Sequence, residues 1–406
     1  MAGGGRAGAC PSPPLLRLPA PPRHRADPPP DPASGEPSTS GEDHLYRPRN
    51  VLVTGGAGFI ASHMVLRLLR RHPEYRVVVY DKMEYCSSLR NLRAVEAHPN
   101  FRLVEGDIRD SGVLRQVLAA EAIDTVLHFA AETHVDNSFG NSLAFTLNNV
   151  YGTHVLLEAC RCAGTVRRFL NVSTDEVYGE QSFGREKGDC ELSKLEPTNP
   201  YSAAKAGAEM MVKAYVKSYG LPCITTRSNN VYGPHQFPEK VVPKFVMLAS
   251  GGHKLPVHGT GLVTRSYLYV EDVAEAFDII LHRGVTGETY NVGSERERSV
   301  LDVARDICDC LGKDFDALVE HVDDRRFNDR RYHIDDAKLR ALGWEESTPW
   351  RDGLAKTIQW YLEHGHAGHW DEEDVRAAML PHPILTTRTR EPGPFSPRSS
   401  FEEARG

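Results

Sequence analysis

No run of apolar residues in this 406-residue chain approaches the ~18 that a helix needs to cross a bilayer, and no basic block gathers its positive charge. The first absence argues against membrane insertion. The second, with a net charge of −7 and a pI near 6.2, argues against nucleic-acid binding. Metal-ligand spacing is also missing. The eight cysteines are scattered at 10, 86, 160, 162, 190, 223, 308 and 310. Cys160-x-Cys162 and Cys308-x-Cys310 fall in expected helices, where residues two apart face different ways, and no histidine completes a zinc set. Reduced, buried thiols and a cytoplasmic location are expected, with no bound metal.

What is present is unevenly distributed. Of the 27 prolines, 12 lie in residues 1–48, where periodic apolar patterning is nearly absent, so that segment is expected to be a disordered tail. A C-terminal extension is expected over 371–406, disordered at its end. Between them, the 40% hydrophobic composition supplies ample core.

The segment from Asn50 to Thr54 reads as an apolar strand that runs into Gly55-Gly56-Ala57-Gly58-Phe59-Ile60-Ala61 and then into a helix. Gly55 permits the tight turn, and Gly58 lets the backbone approach a pyrophosphate at the helix N-terminus. Phe59 and Ile60 complete the turn. The spacing is Gly-x-x-Gly-x-x-Ala, a partial match to the general dinucleotide fingerprint. A second strand, Arg76 to Asp81, ends in an acid twenty residues beyond Ala61. A carboxylate there favours NAD over NADP by bonding the adenosine ribose and repelling a 2′-phosphate. Lys82 follows it. A third strand leads into Gly106-Asp107-Ile108, with Asp107 and Ile108 expected beside the adenine, and a fourth into Ala130-Ala131, small residues that leave room for the cofactor.

Strands alternate with helices as far as Arg227, which calls for a parallel sheet covered on both faces. The expected fold class is α/β: a Rossmann-like doubly wound parallel sheet with a smaller mixed α/β substrate-binding lobe. Residues 49–227 form the expected NAD-binding part, and 228–370 mainly the lobe, with some segments returning to the sheet.

After the strand Arg168–Val172 comes Ser173-Thr174-Asp175-Glu176-Val177-Tyr178-Gly179, and then Tyr201 and Lys205 in a Tyr-x-x-x-Lys pair. Such groups can take a proton and a hydride from one carbon, then a proton and a hydroxyl from its neighbours. That is dehydration through a transient ketone. Tyr201 and Lys205 stand one helical turn apart, so an ammonium near the phenol would lower its pKa and supply a base at neutral pH.

Taken together, Thr-Gly-Gly-Ala-Gly-Phe-Ile (54–60), His-Phe-Ala-Ala-Glu-Thr-His-Val-Asp (128–136), Thr-Asp-Glu-Val-Tyr-Gly (174–179), Tyr-Ser-Ala-Ala-Lys (201–205), Asn-Val-Tyr-Gly-Pro-His-Gln-Phe-Pro-Glu-Lys (230–240) and Arg-Ser-Tyr-Leu-Tyr-Val-Glu-Asp (265–272) resemble the extended short-chain dehydrogenase/reductases. Within them, the chain is similar to the nucleotide-sugar 4,6-dehydratases acting on dTDP-glucose, most closely the animal members. The resemblance covers about residues 50–365. It implies NAD as cofactor, Tyr201 as the base at O4, Lys205 on the nicotinamide ribose and Thr174 on the reacting hydroxyl. Glu176 is then the base at C5 and Asp175 the acid at the C6 hydroxyl. It further implies that Arg265, Arg325 and Asn328, with Lys240, hold the nucleotide, and that Asn230 and Thr133 lie nearer the sugar. Ser266-Tyr267, Arg326-Phe327 and Val300 depart from the family's pattern around the nucleotide, so dTDP-glucose and UDP-glucose both remain substrates of the reading. A 4-epimerase or decarboxylase of the same fold, and a non-catalytic NAD-binding scaffold, are the alternatives. A homodimer is implied by analogy, through helices near 144–162 and 202–219.

Overall fold

Seven strands form one parallel sheet: β1 (Asn50–Thr54), β2 (Arg76–Asp81), β3 (Phe101–Glu105), β4 (Thr125–His128), β5 (Arg168–Thr174), β6 (Cys223–Ser228) and β10 (Thr289–Val292). Their spatial order is β10-β6-β5-β4-β1-β2-β3, with every neighbouring pair parallel. This computed structural model describes residues 45–180, 187–324, 329, 331–365 and 368–381.

The order extends the doubly wound 3-2-1-4-5-6 pattern by one edge strand, and the strands read as continuous apolar runs because both faces are covered. Val51, Val53, Val77 and Val79 face one layer, where Met64, Val65 and Leu68 of the helix Phe59–Arg71 meet Val273, Phe277 and Ile280 of the helix Val270–Arg283. Leu52, Val78 and Val126 point the other way, onto the helices Ser111–Ala120, Thr153–Ala163 and Pro200–Tyr219. Strand alternation thus assigns each residue its layer.

The remaining strands are β7 (Asn230–Tyr232), β8 (Leu255–His258), β9 (Thr264–Tyr269), β11 (Glu297–Ser299) and β12 (Val319–Val322). They make a three-stranded sheet β11-β9-β7 and a two-stranded pair β12-β8. A separate apolar cluster supports them, built from the helices Val241–Ser250, Val300–Leu311 and Trp350–His364. The described residues from Leu45 to Pro381 cluster as one compact unit.

Two expected boundaries move outward. Tyr46 already packs on the sheet, its hydroxyl 2.7 Å from Thr125 Oγ1. At the other end, the expected extension from 371 begins with a helix, Glu372–Met379, whose Val375, Ala378 and Met379 pack on the second cluster. The rest of the two expected tails, 1–44 and 382–406, lies outside the described residues. The cysteine pairs split as helical geometry requires, with Cys160 and Cys308 buried and Cys162 and Cys310 exposed. Among the described residues, no helix is long and apolar enough to cross a membrane.

Candidate active site

A cavity of 1390 Å³ opens at the carboxyl ends of β1, β2, β4 and β5. Single drug-sized ligands occupy ~300–1,000 Å³, so this space suits two nucleotide-sized ligands side by side. Its first wall is the glycine-rich turn. Gly55 sits at φ +69°, and a Cβ there would lie 2.8 Å from the Ala130 backbone, so only glycine fits. The helix that follows starts from Gly58 with no side-chain cap and no acid in its first turn. Its leading amides are therefore open to an anion such as a pyrophosphate.

Asp81 holds this turn in place. Its Oδ2 accepts from Ala57 N at 2.9 Å, and its Oδ1 from Met83 N at 2.8 Å and Ser87 Oγ at 3.1 Å. The carboxylate still lines the cavity, as do Gly55, Gly58, Phe59, Ile60, Lys82, Ile108, Ala130 and Ala131. Lys82 is also spoken for, with Glu84 at 2.8 Å and Glu132 at 2.9 Å. Asp107 stands between two residues of the cavity wall. Its side chain turns to Arg109, with Nε at 2.9 Å from Oδ2, and stays out of the cavity wall, where Gly106 and Ile108 stand instead.

The second wall carries the reactive groups. Thr174 ends β5, and its hydroxyl accepts from Glu176 N, capping the single turn Asp175–Tyr178. The helix Pro200–Tyr219 brings Tyr201 and Lys205 alongside; it starts from an Asn199 cap with Pro200 in its first turn and ends at a left-handed Gly220. Asn199 has a second use, because its Nδ2 donates to Glu176 Oε2 at 3.1 Å. Thr174, Glu176, Tyr201 and Lys205 all line the cavity.

Tyr201 is buried on the cavity wall that also carries Thr174. Burial raises its pKa well above the ordinary phenol value, and the charges of Glu176 and Asp175 add to the rise while Thr174 opposes it. Lys205, the expected cation near the phenol, is buried on the same helix. Its Nζ donates to the Val172 carbonyl oxygen at 2.6 Å, and burial pulls its pKa down to about 8.

Asp175, the expected acid, lies deeper. It is 1% exposed and lies behind Thr174 rather than in the cavity wall. Thr174 Oγ1 is 3.2 Å from its Oδ1, and Asn229 Nδ2 donates to its Oδ2 at 2.6 Å. Burial first, and then the Glu176 charge, push its carboxyl up to about 7. Glu176 is raised by burial as well, countered by Asn199, Arg265 and Lys240.

Thr133, Asn230, Lys240 and Arg265 line the far side of the cavity. Lys240 Nζ donates to the Thr133 carbonyl oxygen at 2.8 Å, and the Arg265 guanidinium stacks 4.6 Å over Tyr332. Arg325 and Asn328 lie outside the described residues. Several wall groups carry no sequence-based assignment. Tyr85 donates to Glu239 Oε2 at 2.8 Å inside the cavity, and Asn229 anchors Asp175. Glu239 and Asn229 sit beside the assigned Lys240 and Asn230, but a run of polar residues does not say which of them turns inward.

The strand order, the glycine-rich turn and the Tyr201/Lys205 pair beside it define an extended short-chain dehydrogenase/reductase. The profile of the GDP-mannose 4,6 dehydratase family matches residues 52–357, and the chain belongs to that family. It is 58% identical over 344 residues to a trifunctional UDP-glucose 4,6-dehydratase/3,5-epimerase/reductase of Arabidopsis thaliana, covering 85% of this chain and 51% of that protein. The chain thus spans about half the length of the plant relatives it matches. It is 46% identical to a dTDP-D-glucose 4,6-dehydratase of Bos taurus, covering 83% of this chain and 94% of the relative. Among solved structures, it resembles DesIV, a dTDP-glucose 4,6-dehydratase of Streptomyces venezuelae with NAD bound. The TM-score is 0.75 at 41% identity, over 79% of this chain and 99% of the other.

Proposed function

We propose that the chain is an NAD-dependent nucleotide-sugar 4,6-dehydratase, a hydro-lyase acting on dTDP-glucose or UDP-glucose. The observation that carries this reading is the meeting of Thr174, Glu176, Tyr201 and Lys205 on one cavity wall, facing a glycine-rich turn built for a pyrophosphate. Gly55, Gly58 and the open amides after them would hold the cofactor's phosphates, with Asp81 and Ile108 at its adenosine end. NAD supplies a hydride acceptor at C4 and a donor at C6, so that none is consumed overall.

The residues then divide the proton work. As the phenolate, Tyr201 takes the O4 proton and becomes the neutral phenol, with the Thr174 hydroxyl beside it to steady the charged form before the transfer. Once C4 is a ketone, the C5 proton is acidic enough for Glu176, which reaches the cavity and is held by Asn199. The C6 hydroxyl needs a proton to leave. Asp175 is the reservoir, half-protonated near neutrality and joined to the cavity through Thr174. With Asp175 protonated, that contact runs from carboxyl to hydroxyl, and Thr174 can pass its own proton onward. Each proton transfer contributes ~10²–10⁴ in rate. Arg265, Lys240, Arg325 and Asn328 would hold the nucleotide, with Asn230 and Thr133 toward the sugar.

Incubating purified protein with each nucleotide sugar separately, and following mass and NADH absorbance, tests the reading. Loss of one water without net NADH is expected. Conversion to an isomer would make the chain an epimerase, and binding of NAD without turnover of either sugar would favour a scaffold.

A homodimer belongs to the same reading. Leu143, Leu147 and Tyr151 recur at helical spacing and are 65%, 47% and 51% exposed, next to the helix Pro200–Tyr219. Light scattering of the purified chain tests this. A cytoplasmic location, where NAD and nucleotide sugars are drawn upon together, is tested by fractionation.

A further inference from the structure

Residues 368–381 lie beyond the stretch matched to the family, 52–357, yet they reach the ligand cavity. Asp374, Ala377, Ala378, Leu380 and Pro381 form part of its wall. Two attachments hold this segment there. At its far end, Lys244 Nζ donates to the Leu380 carbonyl oxygen at 3.1 Å. At its near end, His369, 7% exposed, is wired into the glycine-rich turn. His369 Nε2 lies 2.7 Å from Asn91 Oδ1, and Asn91 Nδ2 donates to the Ala57 carbonyl oxygen at 2.8 Å. Because the Asn91 amide nitrogen already donates to that carbonyl, its oxygen must accept, so the Nε2 of His369 carries the proton. Ser88 closes a loop around the same point. Its backbone N donates to the Ala57 oxygen at 3.1 Å, and its hydroxyl to the His369 carbonyl at 2.7 Å. Trp370, buried next door, anchors the segment in the apolar cluster.

We propose that residues 368–381 are a built part of the ligand site, and that His369 is a positioning residue that sets the glycine-rich turn through Asn91. The Ala57 backbone, held on both of its peptide planes, is the pivot. Its N–H is fixed by Asp81 and its carbonyl by Asn91 and Ser88, so the amides that follow it are aimed before any ligand arrives. The inference rests on the reading of this cavity as an NAD site.

Calorimetric titration of NAD into the full chain, with melting temperature measured in parallel, tests it. His369→Ala and Asn91→Asp are each expected to weaken NAD about tenfold, the effect of losing one buried hydrogen bond. His369→Gln, whose side-chain amide can donate to Asn91 Oδ1, should recover binding to within about threefold. Unchanged affinity in His369→Ala overturns the proposal, and so does a general drop in melting temperature with no recovery in His369→Gln. Should His369→Ala not fold, Asn91→Asp decides. It keeps an acceptor for His369 but cannot donate to Ala57, so weaker binding at an unchanged melting temperature supports the latch and unchanged binding refutes it. If the unaltered chain binds no NAD, the cofactor reading itself fails, and the inference with it.

Discussion

Lys205 Nζ donates to the Val172 carbonyl oxygen at 2.6 Å, tying the helix that carries Tyr201 to the strand that ends in Thr174. The ammonium therefore fixes the distance between phenol and hydroxyl as well as contributing charge. It is buried, and losing it would leave the Val172 carbonyl without that donor.

Tyr201→Phe should lower kcat by ~10²–10⁴ while leaving NAD binding and the melting temperature nearly unchanged, since only the proton-transfer group is removed. Lys205→Met should lower kcat and also weaken NAD binding. Steady-state kinetics with NAD titration separates the two. Equal behaviour of both variants would argue against a distinct anchoring task for Lys205.

Asp175→Asn should change how stability depends on pH. In the folded chain, Asp175 keeps its proton up to about 7, whereas an unfolded aspartate loses it near ~4. Between those values, the folded state binds more protons, so this group's contribution is fully present below the lower value and is lost as pH rises to the upper one. Asparagine has no such dependence. Urea midpoints at pH 4.5 and 7.5 should therefore show the variant gaining on the parent at the higher pH. Dehydratase activity of the parent should fall as pH rises through about 7, where the acid form is lost.

Glu209→Gln should be among the most destabilising single changes. Arg227 and Glu209 are both fully buried, with Nη2 2.7 Å from Oε2, and Arg227 also donates to the Tyr178 hydroxyl at 2.7 Å beneath the reactive turn. Removing one partner of such a pair costs ~3–5 kcal/mol because the other charge stays buried. Replacing both with apolar residues should cost less, and denaturant titration of the single and double variants measures the difference.

Gly55→Ala should abolish NAD binding. The left-handed backbone alone costs ~1–2 kcal/mol for an alanine, and the new Cβ would drive into Ala130. Calorimetry should show no saturation at concentrations that saturate the parent.

Much of the frame was legible because its signals are local. Asn50–Thr54 followed by two glycines, and the apolar runs Arg76–Asp81 and Arg168–Val172, follow from strand and turn chemistry within ten residues of each position, the last strand running on two residues to Thr174. The Asn199-Pro200 start of the catalytic helix is equally local. What escaped was choice between neighbours. Asp107 has Arg109 beside it, and Lys205 has the Val172 carbonyl within reach. Asn229 and Asn230 are chemically identical, and only the folded backbone after β6 decides that the first reaches Asp175. His369 and Asn91 are 278 residues apart, and no spacing rule connects them.

The edge strand β10 has a consequence for synthesis. The sheet is not complete until Thr289–Val292 joins β6, more than sixty residues after β6 itself has been made. While the chain is still being extended, β6 pairs with β5 on one side, but its other edge stands unpaired, a surface that invites another nascent strand. Translation arrested near residue 230 would thus release a sheet with its reactive groups present and one open edge. The fragment should aggregate rather than survive as a miniature enzyme.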